Sequence, residues 1–378
     1  MRSLRDASTH PYPNRPIDLL PYRQMIKFQE RNAWQIDTST LRMTILECGG
    51  HIAEIVYKPA GDINPLWIQN RPTIDSDQFD PAIHGAIYGT DGEAKLISGI
   101  LGHNLCFPFW GLPSKSEEAA GMTCHGETNV VRWKALETTA NSLHLGVTLP
   151  DAAIYFTREI RCQAQVIYFS ETARNLSAWD RPVGWCEHVT FSPPFLAVGD
   201  TSFASNLTRG FSIYDPSRRE LTWPHGEEGI PHLLTGYRAT HGPDLVNSFL
   251  VDPEREHGYI VAWNPRFSLL IGYIFSRVEF PWVNVWEANN TKMQTRGMEF
   301  SNTPIDGTSK KLAQQEPIWG VPAYEWLDAK AQLRKSFAAF VSLVPDGYRG
   351  VADITIGDGK LNIAENETGN IIALEWAP

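Results

Sequence analysis

Three consecutive segments decide the fold: SLHLGVTL (Ser142–Leu149), AIYFTREIRC (Ala153–Cys162) and VIYFSETA (Val166–Ala173). In each segment, apolar and polar residues alternate with a period of two. That alternation is typical of a strand with one face in a hydrophobic core, because successive side chains of a strand point to opposite sides. The three segments therefore predict consecutive half-buried strands of an antiparallel sheet.

Similar runs lie on both sides of these segments. Upstream, Gly49-Gly50 predicts a hairpin turn between two alternating runs. Downstream, Pro and Gly separate further predicted strands at Tyr259–Trp263, Ser268–Phe275, Val283–Glu287, Ser336–Pro345 and Ile371–Trp376. Strands do not alternate with helices along the chain, which disfavours a βαβ fold. The pattern predicts a large all-β antiparallel sandwich.

Residues 1–38 are rich in Pro, Arg and polar residues, and they predict an irregular N-terminal lead-in with one short helix around Leu20–Arg31. The clearest amphipathic helical pattern in the rest of the chain is Tyr324–Phe337. No linker-like stretch divides the strand-rich region. Residues 39–378 are therefore predicted to form a single domain.

Composition limits the class of partner. The formal net charge is −10 and there is no run of Lys and Arg, which disfavours nucleic acid and anionic membrane surfaces and favours a small neutral molecule. The first 25 residues lack the apolar region of a secretory signal, and no apolar run is long enough to span a membrane. The five cysteines lack zinc-knuckle and redox spacing. We expect a cytoplasmic protein with reduced thiols, as a monomer or homodimer.

Three distant segments carry candidate chemistry: GMTCHGETNVVRW (Gly121–Trp133), GWCEHVTFSPPFL (Gly184–Leu196) and TRGMEFSNTPID (Thr295–Asp306). Together they offer two histidines and a carboxylate beside aromatic or turn-forming residues. Opening and closing a sugar hemiacetal needs one proton donor and one proton acceptor, and no cofactor. The three segments are therefore expected to converge in one cleft and to act on a sugar.

From about Leu41 to Val344, the chain resembles in patches the galactose mutarotase-like superfamily, which includes aldose 1-epimerases and hexose-6-phosphate epimerase-like proteins. The matching patches are LECGGHIAEIVYKPAGDINPLW (Leu46–Trp67), ILGHNLCFPFWG (Ile100–Gly111) and HGETNVVRW (His125–Trp133). The resemblance implies an antiparallel β-supersandwich. It also implies an isomerase of the aldose 1-epimerase type, which interconverts the anomers of a carbohydrate without a cofactor or metal.

The resemblance also implies residue roles. His188 matches the general acid that protonates the ring oxygen, Glu299 matches the general base, and His125 matches a histidine that hydrogen-bonds the sugar. Glu287 is the competing carboxylate. The further substrate-binding candidates are His103, Asn104, Arg296, Trp286 and Glu287.

The chain departs from the family at one point. Family members commonly carry an arginine in the segment that corresponds to residues 100–107, where it binds the sugar and, in the phosphosugar group, aids phosphate recognition. This chain has Leu101, Gly102 and His103 instead. The departure favours a neutral sugar over a phosphorylated one, and it leaves open a sugar-binding protein of the same fold without catalysis.

A metal-dependent sugar isomerase or lyase is a second alternative, in which His103, His125 and His188 bind a metal together with Glu127 or Glu299. None of these histidines has the short spacing that places two ligands on one element. Since adjacent residues of a strand face opposite sides, Glu187 is expected to be structural or solvent-facing, and not to support His188. Of five tryptophans, one or two are expected to line the cleft: Trp110, Trp133, Trp185, Trp282 and Trp286.

Overall fold

A computed structural model describes residues 25–227, 230 and 232–378. The strands are β1 Ile26–Phe28, β2 Arg31–Asp37, β3 Leu41–Leu46, β4 Ile52–Tyr57, β5 His103–Cys106, β6 Lys134–Thr138, β7 Ser142–Leu149, β8 Ile154–Gln163, β9 Val166–Asn175, β10 Arg181–Val183, β11 Cys186–Phe191, β12 Ser202–Ser205, β13 Leu207–Ser212, β14 Leu221–Thr222, β15 Gly242–Val251, β16 His257–Asn264, β17 Leu269–Ser276, β18 Trp282–Asn289, β19 Gln294–Ser301, β20 Glu325–Leu327, β21 Gln332–Leu343, β22 Val351–Gly357, β23 Lys360–Glu365 and β24 Ile371–Glu375. The helices are α1 Pro81–Tyr88, α2 Ala94–Ile97, α3 Lys115–Ala119 and α4 Ser309–Ala313, with 3₁₀ turns at Lys58–Ala60, Ser76–Gln78 and Pro265–Phe267.

In the described part of the chain, two large antiparallel sheets of eleven and eight strands dominate. The order of the first is β1-β2-β3-β4-β5-β11-β19-β18-β15-β13-β14, and that of the second is β12-β16-β17-β21-β9-β8-β7-β6. The main hydrophobic core contains residues of both sheets, for example Val189, Val283 and Phe300 from the first and Phe156 and Ile271 from the second. The all-β antiparallel sandwich predicted from the sequence is confirmed.

The burial of each strand reflects its position. In β8, buried residues alternate with more exposed ones, as expected for a strand with one face in the core. All six residues of β11 are buried, and so are seven of the eight in β19. Both faces of these central strands are therefore covered, one by the second sheet and the other by loops. The loop-covered face holds the cleft described below.

Strands β22, β23 and β24 form a small antiparallel sheet at the C-terminus. Its apolar residues Ile354, Leu361 and Ile363 join a second hydrophobic cluster with residues of the eight-stranded sheet, among them Tyr259 and Phe340. The C-terminal sheet thus covers part of the outer face of that sheet. Among the described residues, no helix has the length and apolar character needed to cross a membrane.

Two local predictions are wrong. The lead-in is not irregular where the structure describes it, because residues 26–28 and 31–37 form β1 and β2 and pair with each other and with β3. The part of the predicted helix before residue 25 lies outside the described residues. The helix predicted at Tyr324–Phe337 is replaced by β20 and the start of β21, which lies between β17 and β9 and pairs with both. Pairing on both sides of the strand outweighs the local helical pattern.

The hairpin at Gly49-Gly50 is confirmed, with β3 and β4 paired on either side. Both glycines have a positive φ, of 84° and 59°. A Cβ on Gly49 would lie 2.4 Å from the backbone oxygen of Asn129, so the close approach of the neighbouring loop also requires glycine.

Candidate functional site

Four adjacent strands in the middle of the eleven-stranded sheet position the candidate site. In the register of β5, β11, β19 and β18, Asn104 lies opposite His188, His188 opposite Glu299, and Glu299 opposite Asn284. Residues directly opposite each other in a sheet have side chains on the same face. The pairing of the strands alone therefore creates a polar row across the floor of the loop-covered face.

His188 and Glu299 are in direct contact. The distance between His188 Nε2 and Glu299 Oε1 is 3.1 Å, and the two residues are 6% and 2% exposed. On the other side of the imidazole, Nδ1 lies 2.9 Å from the hydroxyl oxygen of Thr190. The thiol of Cys186 donates a hydrogen bond to Glu299 Oε2 at 3.8 Å. Both functional groups are thus held on two sides by side chains of the sheet.

His125 reaches this pair from a loop. Its backbone N–H donates to the Gly111 oxygen at 2.8 Å, and its Nδ1 accepts a hydrogen bond from the Gly111 N–H at 3.0 Å. Because Nδ1 is an acceptor, the neutral ring carries its proton on Nε2. The centroids of the His125 and His188 rings are 5.5 Å apart. His125 is therefore placed as a hydrogen-bond donor beside the His188–Glu299 pair.

Burial sets the protonation of the pair. It raises the pKa of Glu299 to about 8 and lowers the pKa of His188 well below its ordinary value, with His125 adding to the latter effect. Desolvation also lowers the pKa of His125 to about 4. Near neutral pH the pair consequently has no net charge and one exchangeable proton, which the carboxyl of Glu299 holds. If His188 Nδ1–H donates to Thr190, Nε2 is free to accept that proton.

The cleft above the pair has a volume of about 370 Å³, which lies within the range of small-molecule sites. Trp67, Trp110 and Trp286 line it, and the rings of Trp67 and Trp286 meet edge to face at 6.2 Å. The Trp286 ring also lies 5.7 Å from that of His188. Aromatic walls suit the apolar faces of a sugar ring. Two of the five tryptophans considered from the sequence, Trp110 and Trp286, thus line the cleft.

The rim of the cleft is acidic. Glu93, Asp244 and Asp306 line it together with Tyr214, and no Lys or Arg is among the described residues that do so. Asp306 pairs with Lys311 at 2.8 Å. Burial raises the pKa of Glu93, and the neighbouring Asp91 and Asp244 raise it further, so these carboxylates lie near each other.

The structure brings together His125, His188, Glu299 and Trp286 of the residues predicted from the sequence. Asn104 lies on the same face but under the cleft, where its amide donates to the His188 backbone oxygen at 3.5 Å. The remaining predicted residues do not reach the cleft.

The prediction that His103 binds substrate is wrong. Its side chain points to the opposite face of the sheet, where Nε2 lies 2.9 Å from Glu187 Oε2 in the core between the sheets. Burial lowers the pKa of His103 to about 3, so the neutral ring donates this bond. Glu187 also lies 3.5 Å from Arg158 Nη2 and accepts from the indole N–H of Trp185 at 3.0 Å. Glu187 is therefore structural and not solvent-facing; these were the two alternatives expected from the sequence.

The predictions for Glu287 and Arg296 are wrong for the same reason. Both are fully buried on the core face, where Arg296 Nη1 lies 2.8 Å from Glu287 Oε2. Arg238 and His232 complete this cluster, each with a nitrogen 3.2 Å from Glu287 Oε1. Trp286 faces the cleft, so its neighbour Glu287 cannot.

The three-histidine metal site does not form, because His103 lies on the other side of the sheet from His125 and His188. Glu127 is committed elsewhere, since its carboxylate accepts from the backbone N–H of Asp151 at 3.2 Å and of Ala152 at 2.9 Å. In the ranges that the structure describes, no group of three or more His, Cys, Asp or Glu side chains is arranged to hold a metal ion.

Sequence reasoning missed several residues of the site. Gly297 lies opposite Trp286, and a Cβ there would be 2.6 Å from Glu299 Oε1 and 3.1 Å from Trp286 Cβ. The sequence could have indicated two of these residues. Trp67 ends the Asn-Pro-Leu-Trp motif, and Cys186 lies two residues before His188 in the same strand and therefore on the same face. Nothing in the sequence indicated Glu93 and Asp244, because they come from loops and strand ends that only the fold brings together.

A second cavity, of about 700 Å³, lies beside the C-terminal sheet on the outer face of the eight-stranded sheet. Its histidine–carboxylate pair, His144 and Glu159, is 3.9 Å apart with side chains 32% and 61% exposed. Water competes for such an exposed pair, whereas His188 and Glu299 are buried and in direct contact. The smaller cleft is the better candidate site.

No protein-family model matches the chain, and no curated protein sequence matches it. Solved structures do. A candidate aldose 1-epimerase from Klebsiella pneumoniae is similar with a TM-score of 0.61 and 12% identity, over 82% of this chain and 79% of that one. A galactose mutarotase-like protein from Clostridium acetobutylicum has a TM-score of 0.59 and 12% identity, over 85% and 98%. A galactose mutarotase related enzyme from Lactobacillus acidophilus has a TM-score of 0.56 and 10% identity, over 83% and 98%. The chain therefore has the galactose mutarotase-like fold.

Proposed function

We propose that this protein is an aldose 1-epimerase-like isomerase that interconverts the anomers of a neutral aldose without a cofactor. The observation that carries the proposal is the direct contact of His188 and Glu299 on the floor of an aromatic cleft. The two oxygens that exchange protons in ring opening, the anomeric hydroxyl and the ring oxygen, are both bonded to C1. An acid and a base that touch each other can serve both, whereas the carboxylates of glycosidases stand about 5–9.5 Å apart across the bond.

The protonation of the pair suits this chemistry. In the resting pair, the Glu299 carboxyl holds the proton and His188 Nε2 accepts its hydrogen bond. Transfer of that proton over the 3.1 Å contact produces a carboxylate and an imidazolium, which are the base and the acid of the proposed reaction. The pair has no net charge before or after the transfer, so the buried site holds the two new charges as an adjacent ion pair and not as an isolated charge.

The reaction then follows in balanced steps. The Glu299 carboxylate removes the proton of the C1 hydroxyl while His188 protonates the ring oxygen, and the bond between C1 and the ring oxygen breaks. The product is an open-chain aldehyde, and rotation about C1–C2 exposes its other face. Closure in the reverse direction yields the other anomer and restores the pair. His125 Nε2–H donates a hydrogen bond to a sugar oxygen. Each positioned proton transfer contributes about 10²–10⁴-fold to the rate.

The absence of Lys and Arg among the described residues that line the cleft supports a sugar without phosphate. It agrees with Leu101 and Gly102 in the segment where the family commonly has an arginine. The solved structures of similar fold include candidate aldose 1-epimerases from Klebsiella pneumoniae and Escherichia coli, which supports the same reaction class.

Polarimetry and NMR exchange on freshly dissolved α-anomers of a panel of aldoses test the proposal. We expect acceleration over buffer that His188→Ala and Glu299→Gln each reduce by about 10²-fold or more. Glu159→Gln, a substitution of an exposed carboxylate away from the cleft, is the matched control and should retain the rate. A wild-type rate equal to buffer for every sugar, with sugar binding retained, favours the non-catalytic sugar-binding protein instead. Loss of activity on chelation contradicts the cofactor-free reaction.

A further inference from the structure

The rim of the cleft carries more negative charge than a neutral sugar needs. Glu93 and Asp244 have no ion-pair partner among the described residues, and Asp306 has one, Lys311. The influence of Asp244 on Glu93, and of all three carboxylates on Tyr214, indicates that they surround one opening. Close like charges repel each other, so their arrangement at the mouth of a cleft creates a negative potential that a cation relieves.

A separate feature of the cleft is a buried hydrogen-bond donor without a partner in the described part of the chain. Trp110 lines the cleft and is 5% exposed, yet its indole N–H has no hydrogen-bond partner among the described residues. A buried donor without a partner costs free energy. A sugar hydroxyl or ring oxygen in the cleft would accept this bond. The aromatic faces of Trp67 and Trp286, which also line the cleft, attract a cation that lies over them.

From these features we propose that the preferred substrate of the cleft is an aldose with a protonated amino group in place of one hydroxyl. This inference rests on the proposed anomer interconversion and changes its preferred substrate from a neutral aldose to a cationic one. His188 and Glu299 act on C1 and the ring oxygen at the floor, and the ammonium group lies at the rim among Glu93, Asp244 and the indole faces. Aldoses with a phosphate or carboxylate are rejected, because the rim repels them and no described lining residue offers a cation.

The test compares matched sugars. Mutarotation is measured by NMR exchange at a pH of about 6.5, where an amine is protonated. The sugars are glucose, its 2-amino-2-deoxy, 3-amino-3-deoxy and 6-amino-6-deoxy derivatives, their N-acetyl forms, and glucose 6-phosphate. The N-acetyl forms keep the nitrogen but remove the charge. We expect kcat/KM for at least one amino sugar to exceed that of glucose and of its own N-acetyl form by about three- to tenfold, since charges at a partly exposed rim have this range of effect. The preference should shrink in 0.5 M salt, because salt screens such charges.

Substitutions at the rim test whether its carboxylates cause the preference for an amino sugar. In the double variant Glu93→Gln/Asp244→Asn, the ratio of kcat/KM for the amino sugar to that for its N-acetyl form should fall to about one, and in the control variant Glu159→Gln it should remain as in the wild type. Equal or faster turnover of glucose and the N-acetyl sugars overturns the inference, and so does a preference that survives in the double variant.

Failure of the proposed reaction is recognised separately. If no sugar is accelerated over buffer, anomer interconversion is refuted. NMR titration then gives the dissociation constants of each amino sugar and of its N-acetyl form, and their ratio takes the place of the ratio of kcat/KM. Tighter binding of an amino sugar than of its N-acetyl form supports the charged rim in that case as well. Binding that does not distinguish them, or no binding, overturns it.

Discussion

Replacement of Glu299 by glutamine tests the protonation state on which the mechanism depends. Glu299 is 2% exposed, and burial raises its pKa from 4.5 to about 8. Because the pKa is higher in the folded than in the unfolded chain, the folded state is most favoured below pH 4.5 and loses this stability as the pH rises toward 8. At about 1.4 kcal/mol per unit of pH, the loss amounts to about 5 kcal/mol in total and to about 3 kcal/mol at pH 7.

Glutamine has nearly the same shape and does not titrate. The free energy of unfolding of Glu299→Gln minus that of the wild type should therefore rise by about 4 kcal/mol between pH 5 and pH 8 and then level off. A constant offset from changed hydrogen bonds does not affect this slope. In the unfolded chain His188 titrates alike in both proteins, so that contribution cancels in the difference.

Urea unfolding followed by tryptophan fluorescence, at one-unit steps from pH 5 to pH 9, gives the difference directly. Infrared spectra add an independent readout, because the protonated-carboxyl band at pH 7 should be weaker in Glu299→Gln than in the wild type by the contribution of one carboxyl, while the contribution of Glu171 remains. Glu159→Gln is the control, since its side chain is 61% exposed, and its curve should run parallel to that of the wild type. If the Glu299→Gln curve is parallel as well, within about 0.5 kcal/mol, Glu299 is a carboxylate in the resting protein and the neutral pair is refuted.

The same reasoning yields further tests. The mutarotation rate should be level from about pH 6.5 to 7, fall to half at the pKa of Glu299 of about 8 and fall further above it, because loss of the shared proton leaves a base without an acid. In Cys186→Ala this alkaline limb should move to higher pH, since the thiol hydrogen bond lowers the pKa of Glu299; an unmoved limb would show that the thiol has no such effect. Gly297→Ala should lower kcat about tenfold or more in the same assay without unfolding the protein, because the new Cβ displaces the Glu299 carboxylate; an unchanged kcat contradicts the observed packing. Arg158→Met should reduce the free energy of unfolding in urea by about 3–5 kcal/mol, since it removes the cation beside two buried carboxylates, and a neutral result would mean that those carboxylates are both protonated.

Alternation along single strands was enough to predict the fold. SLHLGVTL and its two successors have the period of two that β7, β8 and β9 display. The prediction of a helix at Tyr324–Phe337 is wrong because the apolar spacing of this segment fits a helix. Pairing of β21 with β9 and β17 makes it a strand instead. The β9 partners are more than 150 positions away in sequence and the β17 partners more than 60, so local patterns do not contain this pairing.

Part of the site prediction could have been corrected from the sequence alone, because adjacent residues of a strand face opposite sides. Trp286 and Glu287 are adjacent in one strand, so one side chain at most faces the cleft. Arg296 and Glu299 are three positions apart in a strand and also face opposite sides. Which of His103 and Asn104 shares the face of His188 depends on the register between β5 and β11, which the sequence does not specify. The acidic rim likewise depends on how loops meet.

The two faces of β11 show why one buried carboxylate is proposed as catalytic and another as structural. Glu187 and Glu171 share the core with a single Arg158, and burial raises the pKa of Glu171 to about 8. That cluster and the pair in the cleft both avoid a net buried charge by retaining one proton, so their acid–base chemistry is alike. They differ in access. The core cluster is enclosed by the two sheets, and its carboxylates are 0% exposed, whereas Glu299 opens onto the cleft. A sugar can exchange a proton only with Glu299, and β11, which carries Glu187 on its core face and His188 on its cleft face, ties the position of the reactive pair to the rigid core behind it.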